Sequence, residues 1–269
     1  MPQEILMLKY LKRIYSSKDI ILRLAFTDLK LRYAGSYLGL LWSLLEPLLI
    51  ILIYSIVFPL ILKANFLEWF LFFICGLIPF RYLRKGTTEI TTCLVDYSSI
   101  LEKSRMSAEN IIYAKAISTL FSFLIELSIV FVFVSFFVQP SFFIIFLPFA
   151  IGISFLINLG LGFYLSAVYP RARDISYILS ILFETLMFLI PIVYRIEYIP
   201  SLYRGVYLLN PIARLVYVYQ AIFLHSSPKF TEYLSVPKEL AILFLFSLLV
   251  LIIGYKKFEK EKEISLEVI

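Results

Sequence analysis

The sequence predicts an all-α integral membrane protein with six transmembrane helices, amphipathic helices at the N-terminus and short re-entrant helices in the last external loop. Its 269 residues are 61% hydrophobic and 16% charged, whereas soluble domains are about 45–50% apolar and about 25% charged. Several apolar windows approach the ~20 residues that a helix needs to cross a bilayer. These windows lack the alternating pattern of transmembrane β-strands, so helices are the predicted spanning elements.

The predicted spans, in chain order, are residues 39–62, 66–80, 116–138, 141–168, 175–194 and 240–255. The second span is followed by Arg81, Arg84 and Lys85, although the polar stretch 86–95 could continue the same helix. The third and fourth spans are separated at Pro140, because proline prevents one continuous helix there.

Basic residues cluster before span one, between spans two and three, between spans four and five, and after span six. Because positively charged loops stay in the cytoplasm, we expect both termini to be cytoplasmic and the protein to lie in a bacterial inner membrane. The predicted domains are a cytoplasmic amphipathic interface segment at 1–38, a transmembrane domain at 39–255 with an external loop at 195–238, and a cytoplasmic tail at 256–269.

The N-terminal segment contains two predicted amphipathic helices, at residues 5–15 and 17–32, and Ser17 is a candidate N-cap of the second. Such helices lie along a membrane surface. They either anchor the protein to anionic lipid alone or also hold a cytoplasmic partner.

The chain lacks the patterns of common catalytic and metal sites. None of its nine glycines precedes a lysine, which excludes a phosphate-binding loop of the G-x-x-x-x-G-K type. The single histidine, His225, lies in the polar part of the external loop, and with Cys75 and Cys93 it does not make a metal site. We therefore expect no catalysis, no metal and no cofactor in this chain, and no nucleic-acid partner.

Polar side chains at membrane depth are costly and are therefore candidates for function. Two helical faces contain them: Ser43, Glu46 and Tyr54 on span one, and Tyr177, Glu184 and Phe188 on span five. Each face either lines a polar path or packs against neighbouring helices with its acid hydrogen-bonded. For Glu126 on span three, packing is the favoured interpretation.

The basic residues after span two have two interpretations. Arg81, Arg84 and Lys85 fall in the cytoplasmic half of the membrane, where long cationic side chains can extend to the interface. Alternatively, they contact the phosphates of an anionic lipid-linked substrate, because a guanidinium fits phosphate oxygens.

The external loop at 195–238 is too apolar for a solvated linker and predicts two short helices, at 206–209 and 212–224, broken at Asn210 and Pro211. These helices either form a lid that dips into the outer membrane face, with Asn210 and Pro211 as gate residues, or lie at the interface without gating.

Four stretches carry a resemblance to a known family: FTDLKLRYAGSYLG followed by LWSLLEPL at residues 26–48, CGLIPF at 75–80, YPRARD at 169–174 and LNPI at 209–212. They resemble ABC-2 type permeases, and most of all the membrane subunits that export O-antigen, capsular polysaccharide and teichoic acid.

The resemblance implies a homodimer that pairs with two copies of a separate cytoplasmic ABC ATPase, which binds ATP-Mg, and that exports a lipid-linked polysaccharide. It implies a central channel formed largely by spans one and five, with aromatic side chains against which sugars slide. The channel candidates are Ser43, Glu46, Tyr54, Phe58, Tyr177, Glu184, Phe188 and Tyr194. The candidates for contact with the ATPase are Asp28, Lys30, Arg32, Tyr97, Leu101, Glu102 and Arg105.

Two other functions stay open at this point. An ABC-2 exporter of drugs or small lipids shares the six spans and the separate ATPase. A proton-coupled transporter would use Glu46 or Glu184 as its proton site and need no ATPase.

Overall fold

The computed structural model describes residues 17–32, 35–37, 42–103, 106–227, 230 and 234–268. Within these ranges all the regular structure is helical, which confirms the predicted fold class. The α-helices are α1 (Lys18–Arg32), α2 (Trp42–Leu62), α3 (Phe66–Asp96), α4 (Ser98–Lys103), α5 (Ala108–Ser135), α6 (Leu147–Val168), α7 (Ile175–Leu189), α8 (Ser201–Tyr207), α9 (Pro211–Leu224) and α10 (Val236–Glu267). Short 3-10 helices occupy Phe142–Phe146 and Ile196–Tyr198.

Five of the described helices are long and apolar enough to cross a membrane: α2, α3, α5, α6 with its preceding 3-10 turn, and α10. The helices α8 and α9 together are as apolar, but they meet at an angle of 103°. Such a bent pair is either a broken span or a re-entrant loop, so the re-entrant arrangement stays a prediction.

The fifth span is shorter than the sequence analysis predicted. Helix α7 ends at Leu189, and Ile190 has extended backbone angles of φ −100° and ψ 144°. The cause is Pro191, because a residue that precedes proline is driven out of the helical region. The 15 residues of α7 reach about 22 Å at 1.5 Å per residue, less than the ~30 Å of a hydrocarbon core.

Three spans are longer than their apolar windows, namely α3, α10 and α5, which begins at Ala108 rather than at residue 116. Helix α3 begins after its cap residue Asn65, whose side-chain oxygen accepts from the Leu67 and Glu68 amides, and runs unbroken to Asp96. The polar stretch 86–95 therefore does continue span two. Helix α10 runs to Glu267, so most of the segment predicted as a tail continues the last span.

Helices α6 and α10 form the closest helix pair of the bundle. A Cβ atom on Gly160 would lie 2.7 Å from the Leu251 backbone, and one on Gly254 would overlap the carbonyl oxygen of Gly160. Small residues let two membrane helices approach to backbone contact, and here they fix the last span against the fourth.

Helix α9 is buried in the bundle from Leu215 to Leu224 rather than lying over it as a lid. Its Gln220 side-chain amide donates to the carbonyl oxygens of Phe72, at 3.5 Å, and Pro191, at 3.3 Å. The Tyr219 hydroxyl lies 3.0 Å from that of Ser154 on α6. These contacts make the second half of the bent pair part of the core.

Helix α1 confirms the predicted helix at residues 17–32, whereas the helix predicted at 5–15 lies outside the described residues. The buried side chains of α1, namely Ile21, Ala25 and Asp28, lie on one face of the helix. That face packs on α5, where Ile21 and Ala25 form an apolar cluster with Ala114. We call the end of the bundle that carries α1 the basic end.

Candidate substrate cavity

A polar cavity of 580 Å³ opens between α2, α3, α5 and α7. Its polar and charged lining residues are Glu46, Tyr54, Arg81, Tyr82, Arg84, Lys85, Thr88, Glu89, Thr119, Ser122 and Glu126. Charged groups in such a place are expensive in hydrocarbon, so the cavity is a candidate site for water or a polar ligand. It contains three charged residues predicted from span two together with two residues predicted for the channel.

Two ion pairs connect the basic residues of α3 to the acids of the neighbouring spans. The Arg81 guanidinium lies 3.2 Å from the Glu46 carboxylate on α2, and that of Arg84 lies 3.1 Å from Glu184 on α7. The carboxylate side chains are 60% and 62% exposed in the single chain. Both spans predicted to form the channel are therefore tied to α3 at the cavity.

Lys85 and Glu126 also line the cavity but make no hydrogen bond or ion pair with the described part of the chain. Glu126 is buried, as the packing interpretation expects, yet its carboxylate faces the cavity rather than a hydrogen-bonding partner on a neighbouring helix. These groups give the cavity one cation and one acid that are available to a ligand.

An aromatic stack extends from the cavity toward the far end of α2. The Tyr54 ring stacks on Phe58 at 5.3 Å and on Phe73 at 5.4 Å, and Trp69 stacks on Phe73 at 4.7 Å. The Trp69 indole nitrogen donates to the carbonyl oxygen of Val193 at 2.7 Å. Tyr54 thus borders the cavity, whereas Phe58 packs within the chain.

Three of the remaining channel candidates lie along α7 and just after it. Tyr177 and Phe188 are exposed on α7, at 71% and 54%, and the Tyr194 hydroxyl donates to the Phe188 carbonyl at 2.9 Å. The side chain of Ser43 lies outside the described residues. A shared channel face of α2 and α7 stays a prediction that the single chain does not test.

At the basic end, Asp28 is the centre of a buried cluster. Its carboxylate accepts from the Lys115 ammonium and the Ser118 hydroxyl, both at 2.6 Å, and from the Tyr97 hydroxyl. Burial by itself would raise the pKa of the Asp28 carboxyl, but these hydrogen bonds and the Lys115 charge outweigh it and lower that pKa to about 2. Asp28 therefore holds α1 on α5 as a fully ionised group.

The cluster continues to the wall of the cavity through Arg32. Its guanidinium lies 3.1 Å from Asp28 and 2.6 Å from Glu89, and Glu89 lines the cavity. Lys115 stands 3.8 Å from the same Glu89 carboxylate. A continuous run of ion pairs therefore joins the interface helix α1 to the cavity.

This arrangement places the predicted ATPase contacts in two groups. Asp28, Arg32 and Tyr97 are engaged in contacts within the chain, so their direct role is to position α1. Lys30 and Glu102 are exposed at the basic end, and Leu101 is partly buried on the short helix α4. Arg105 lies outside the described residues.

The sequence analysis missed Lys115, Ser118 and Glu89. A signal existed for the first two, since they are polar residues one turn apart on an otherwise apolar helix.

The gate candidates Asn210 and Pro211 have a local role in the structure. The Asn210 side-chain oxygen accepts from the Ile212 amide at 2.9 Å, and Pro211 is the first residue of α9. This is the ordinary N-terminal cap of a helix, and gating by these residues stays a prediction.

Residues 21–224 match the ABC-2 type transporter family. The chain belongs to this family. The matched region begins in α1 and ends with α9, so it includes the Asp28 cluster and the cavity. Membership makes the chain a multi-pass membrane transport protein.

Curated relatives of the ABC-2 chain share most of its length. The O-antigen export system permease protein RfbA of Myxococcus xanthus is 26% identical over 220 residues, which cover 81% of this chain and 85% of the relative. A protein with the same description from Klebsiella pneumoniae is 24% identical over 246 residues, 91% of this chain and 92% of the relative.

Proposed function

We propose that this chain is the membrane subunit of an ATP-driven exporter that moves a lipid-linked polysaccharide across the bacterial inner membrane. Two copies of the chain would form the channel, and two copies of a separate ATPase subunit would supply ATP-Mg. The description of the relatives as O-antigen export permeases supports the substrate class. The observation that carries the proposal is the charged cavity at membrane depth.

The cavity fits the phosphate end of a lipid-linked substrate. Arg81, Arg84 and Lys85 come from one helix within the cavity, and guanidinium groups bind phosphate oxygens in a forked geometry. Two of these cations are paired with Glu46 and Glu184 in the structure. An entering phosphate would exchange with the carboxylates and loosen α2 and α7 from α3.

The exposed face of α2 and α7 supports the proposed homodimer. In the apolar window of α2, 22% of the residues are buried, against 72% for α3. Lipid would cover an apolar face, but Glu46 and Glu184 lie on this side with well-exposed carboxylates, and carboxylates in hydrocarbon cost several kcal/mol. A second copy of the chain would cover the apolar residues of this face. A water-filled path between the two copies would solvate the acidic residues.

The ATPase would bind at the basic end. Lys30 and Glu102 are exposed there, and a movement of α1 would reach the cavity through Arg32 and Glu89. Binding of ATP to the ATPase subunit would then need only to favour one position of α1 over another in order to affect the cavity.

The first experiment is co-purification of the chain with a tagged ABC ATPase from its own operon, followed by ATP hydrolysis in proteoliposomes. We expect a stable complex whose hydrolysis rises with lipid-linked glycan and not with the lipid carrier alone. A chain that binds no ATPase would contradict the proposal and favour proton-coupled transport. An equal response to the carrier without glycan would indicate a small-lipid exporter.

The cavity and the dimer are tested separately in the same system. Arg84→Glu should abolish the glycan response, whereas Lys260→Glu, an exposed charge reversal on α10, should not. For the dimer, Tyr177→Cys should cross-link between two copies, whereas Leu245→Cys, equally exposed on α10, should not. The native Cys75 and Cys93 are buried and give a low background.

A further inference from the structure

The α5 side of the cavity carries three polar side chains that the phosphate site does not use. Thr119, Ser122 and Glu126 line the cavity, and their spacing of three and four residues places them on one face of the helix. Their exposed fractions are only 2%, 3% and 7%, so the cavity is where they can meet a ligand. We call these three residues the acceptor wall.

Each residue of the acceptor wall offers the cavity a hydrogen-bond acceptor. The Thr119 hydroxyl donates its own proton to the Ala116 carbonyl at 2.9 Å, and the Ser122 hydroxyl donates to the Ser118 carbonyl at 3.4 Å. Their oxygen lone pairs are left for a ligand. An ionised carboxylate only accepts, and within the described ranges of the chain no group donates to Glu126.

A phosphate group does not fit the acceptor wall. Ionised phosphate oxygens are themselves acceptors, and at this wall they would meet the negative charge of Glu126. The opposite side of the cavity has the N–H donors of Arg81, Arg84 and Lys85 on α3, which suit phosphate. A ligand that satisfies both sides therefore carries a phosphate and, close to it, a group with O–H or N–H donors.

In a lipid-linked glycan, the sugar bonded to the phosphate is the group that has such donors. Its hydroxyls, or the N–H of an acetamido substituent, lie a few bonds from the phosphorus atom. The hydrocarbon chain on the other side of the phosphate has none. Water also donates to acceptors, and it is the competing occupant of the wall.

We propose that the acceptor wall binds the first sugar of the substrate, the one bonded to the phosphate, and that Glu126 thereby determines the preference for a glycosylated over a bare lipid carrier. This inference rests on the proposed function, since it assumes a lipid-linked glycan. A bare carrier places no donor against the buried carboxylate. Sites built to hydrogen-bond a hydroxyl discriminate strongly against analogues that lack it.

The test compares carriers that differ by a single sugar. The complete transporter, assembled with its ATPase, is placed in nanodiscs with known mole fractions of decaprenyl phosphate, either bare or bonded to one glucose, galactose, mannose or N-acetylglucosamine. Native mass spectrometry measures the fraction of transporter with the probe bound. We expect the wild type to bind at least one glycosylated probe about tenfold or more tightly than the bare one.

The decisive variant is Glu126→Gln, which keeps the size of the side chain and removes its charge. The preference for the glycosylated probe should fall about tenfold, because a hydrogen bond to a charged acceptor becomes one to a neutral acceptor. The bare probe should bind as tightly as in the wild type or more tightly, since repulsion of its phosphate is lost. A merely structural defect would weaken both probes together.

The matched control is Glu109→Gln, the same change on the same helix. The Glu109 carboxylate pairs with Lys262 at 3.2 Å and does not line the cavity. This variant should keep the wild-type preference.

Equal affinity of the wild type for the bare probe and all four glycosylated probes would mean that the wall holds water only, and it overturns the inference. A preference that survives unchanged in Glu126→Gln overturns it as well. If Glu126→Gln does not assemble, Thr119→Val with Ser122→Ala takes its place, and an unchanged preference is again the contrary result.

Glycan-stimulated ATP hydrolysis is measured in the same preparation. Hydrolysis that responds to lipid-linked glycan, without any preference for a glycosylated probe, refutes the role of the acceptor wall alone. Absence of that response refutes the proposed function on which the inference rests.

Discussion

Neutralising Asp28 should release helix α1 from the bundle. The pKa of this carboxyl falls from its ordinary value of 3.8 to about 2 in the native cluster. Since one pKa unit corresponds to about 1.4 kcal/mol, the ionised carboxylate contributes about 2 kcal/mol to the docking of α1 at neutral pH. In Asp28→Asn the Lys115 ammonium stays buried opposite a neutral amide, so the loss should be at least of this size.

A loss of about 2 kcal/mol raises the open population of α1 about 30-fold. Hydrogen exchange of the α1 amides in nanodiscs, read by mass spectrometry, measures this opening directly. We expect the α1 amides to exchange about 30 times faster in Asp28→Asn, with little change in α6 and α10. The matched control is Arg23→Gln, which removes an exposed charge from the same helix and should change exchange less than threefold.

Exchange of the α1 amides at the wild-type rate in Asp28→Asn would contradict the role of the Asp28 carboxylate in docking α1. That result would mean that the apolar contacts of Ile21 and Ala25, rather than the ion cluster, hold α1 on α5.

Three further predictions concern pH, helix packing and the ion pairs. Because the pKa of Asp28 is depressed, its contribution to the docking of α1 is complete above about pH 4 and is lost as the pH falls toward 2. Hydrogen exchange of α1, corrected for the intrinsic rate, should therefore rise over this pH range in the wild type and rise much less in Asp28→Asn. Gly160→Ala should lower the free energy of unfolding by about 1–3 kcal/mol, since the added methyl group meets the Leu251 backbone. Gly152→Ala should not lower it, because the methyl group there meets open space. Denaturation in mixed micelles compares the two variants, and equal stability would contradict the close α6–α10 contact. The Arg84–Glu184 pair, with side chains 39% and 62% exposed, should show a coupling energy of about 0.2–1 kcal/mol in a double-mutant cycle; a value above about 3 kcal/mol would mean that water does not reach it.

Much of the architecture could be predicted because hydropathy alone determines which segments enter a bilayer. The same criterion failed at α7, where apolar residues continue past Leu189 but Pro191 ends the helix through Ile190. The mean hydropathy of a window reports how well a segment partitions into lipid. It does not report the backbone angles of a single residue such as Ile190. The burial of α9 could not be predicted either, because an apolar helix looks the same whether lipid or protein surrounds it.

The candidate sites divide in a similar way. The resemblance at residues 26–48 selected Asp28, and membrane depth selected the acids Glu46 and Glu184. Their partners are distant in sequence: Lys115 and Ser118 lie 87 and 90 positions from Asp28, and Arg84 lies 100 from Glu184. Local pattern carries no information on such pairs, since they depend on how the helices pack.

The position of Arg32 makes the charge of the cavity wall depend on a helix that does not line the cavity. This side chain belongs to α1, yet it neutralises Glu89 on the cavity wall. If α1 moved away, Glu89 would keep only Lys115, at 3.8 Å, so this wall of the cavity would become more negative and bind an anion less well. Linkage requires the reverse effect to be equally large, so an anion that enters the cavity must strengthen the hold on α1 by the same factor. In the proposed exporter, substrate occupancy would thereby be reported at the surface where a cytoplasmic partner would bind, without any change in the fold between them.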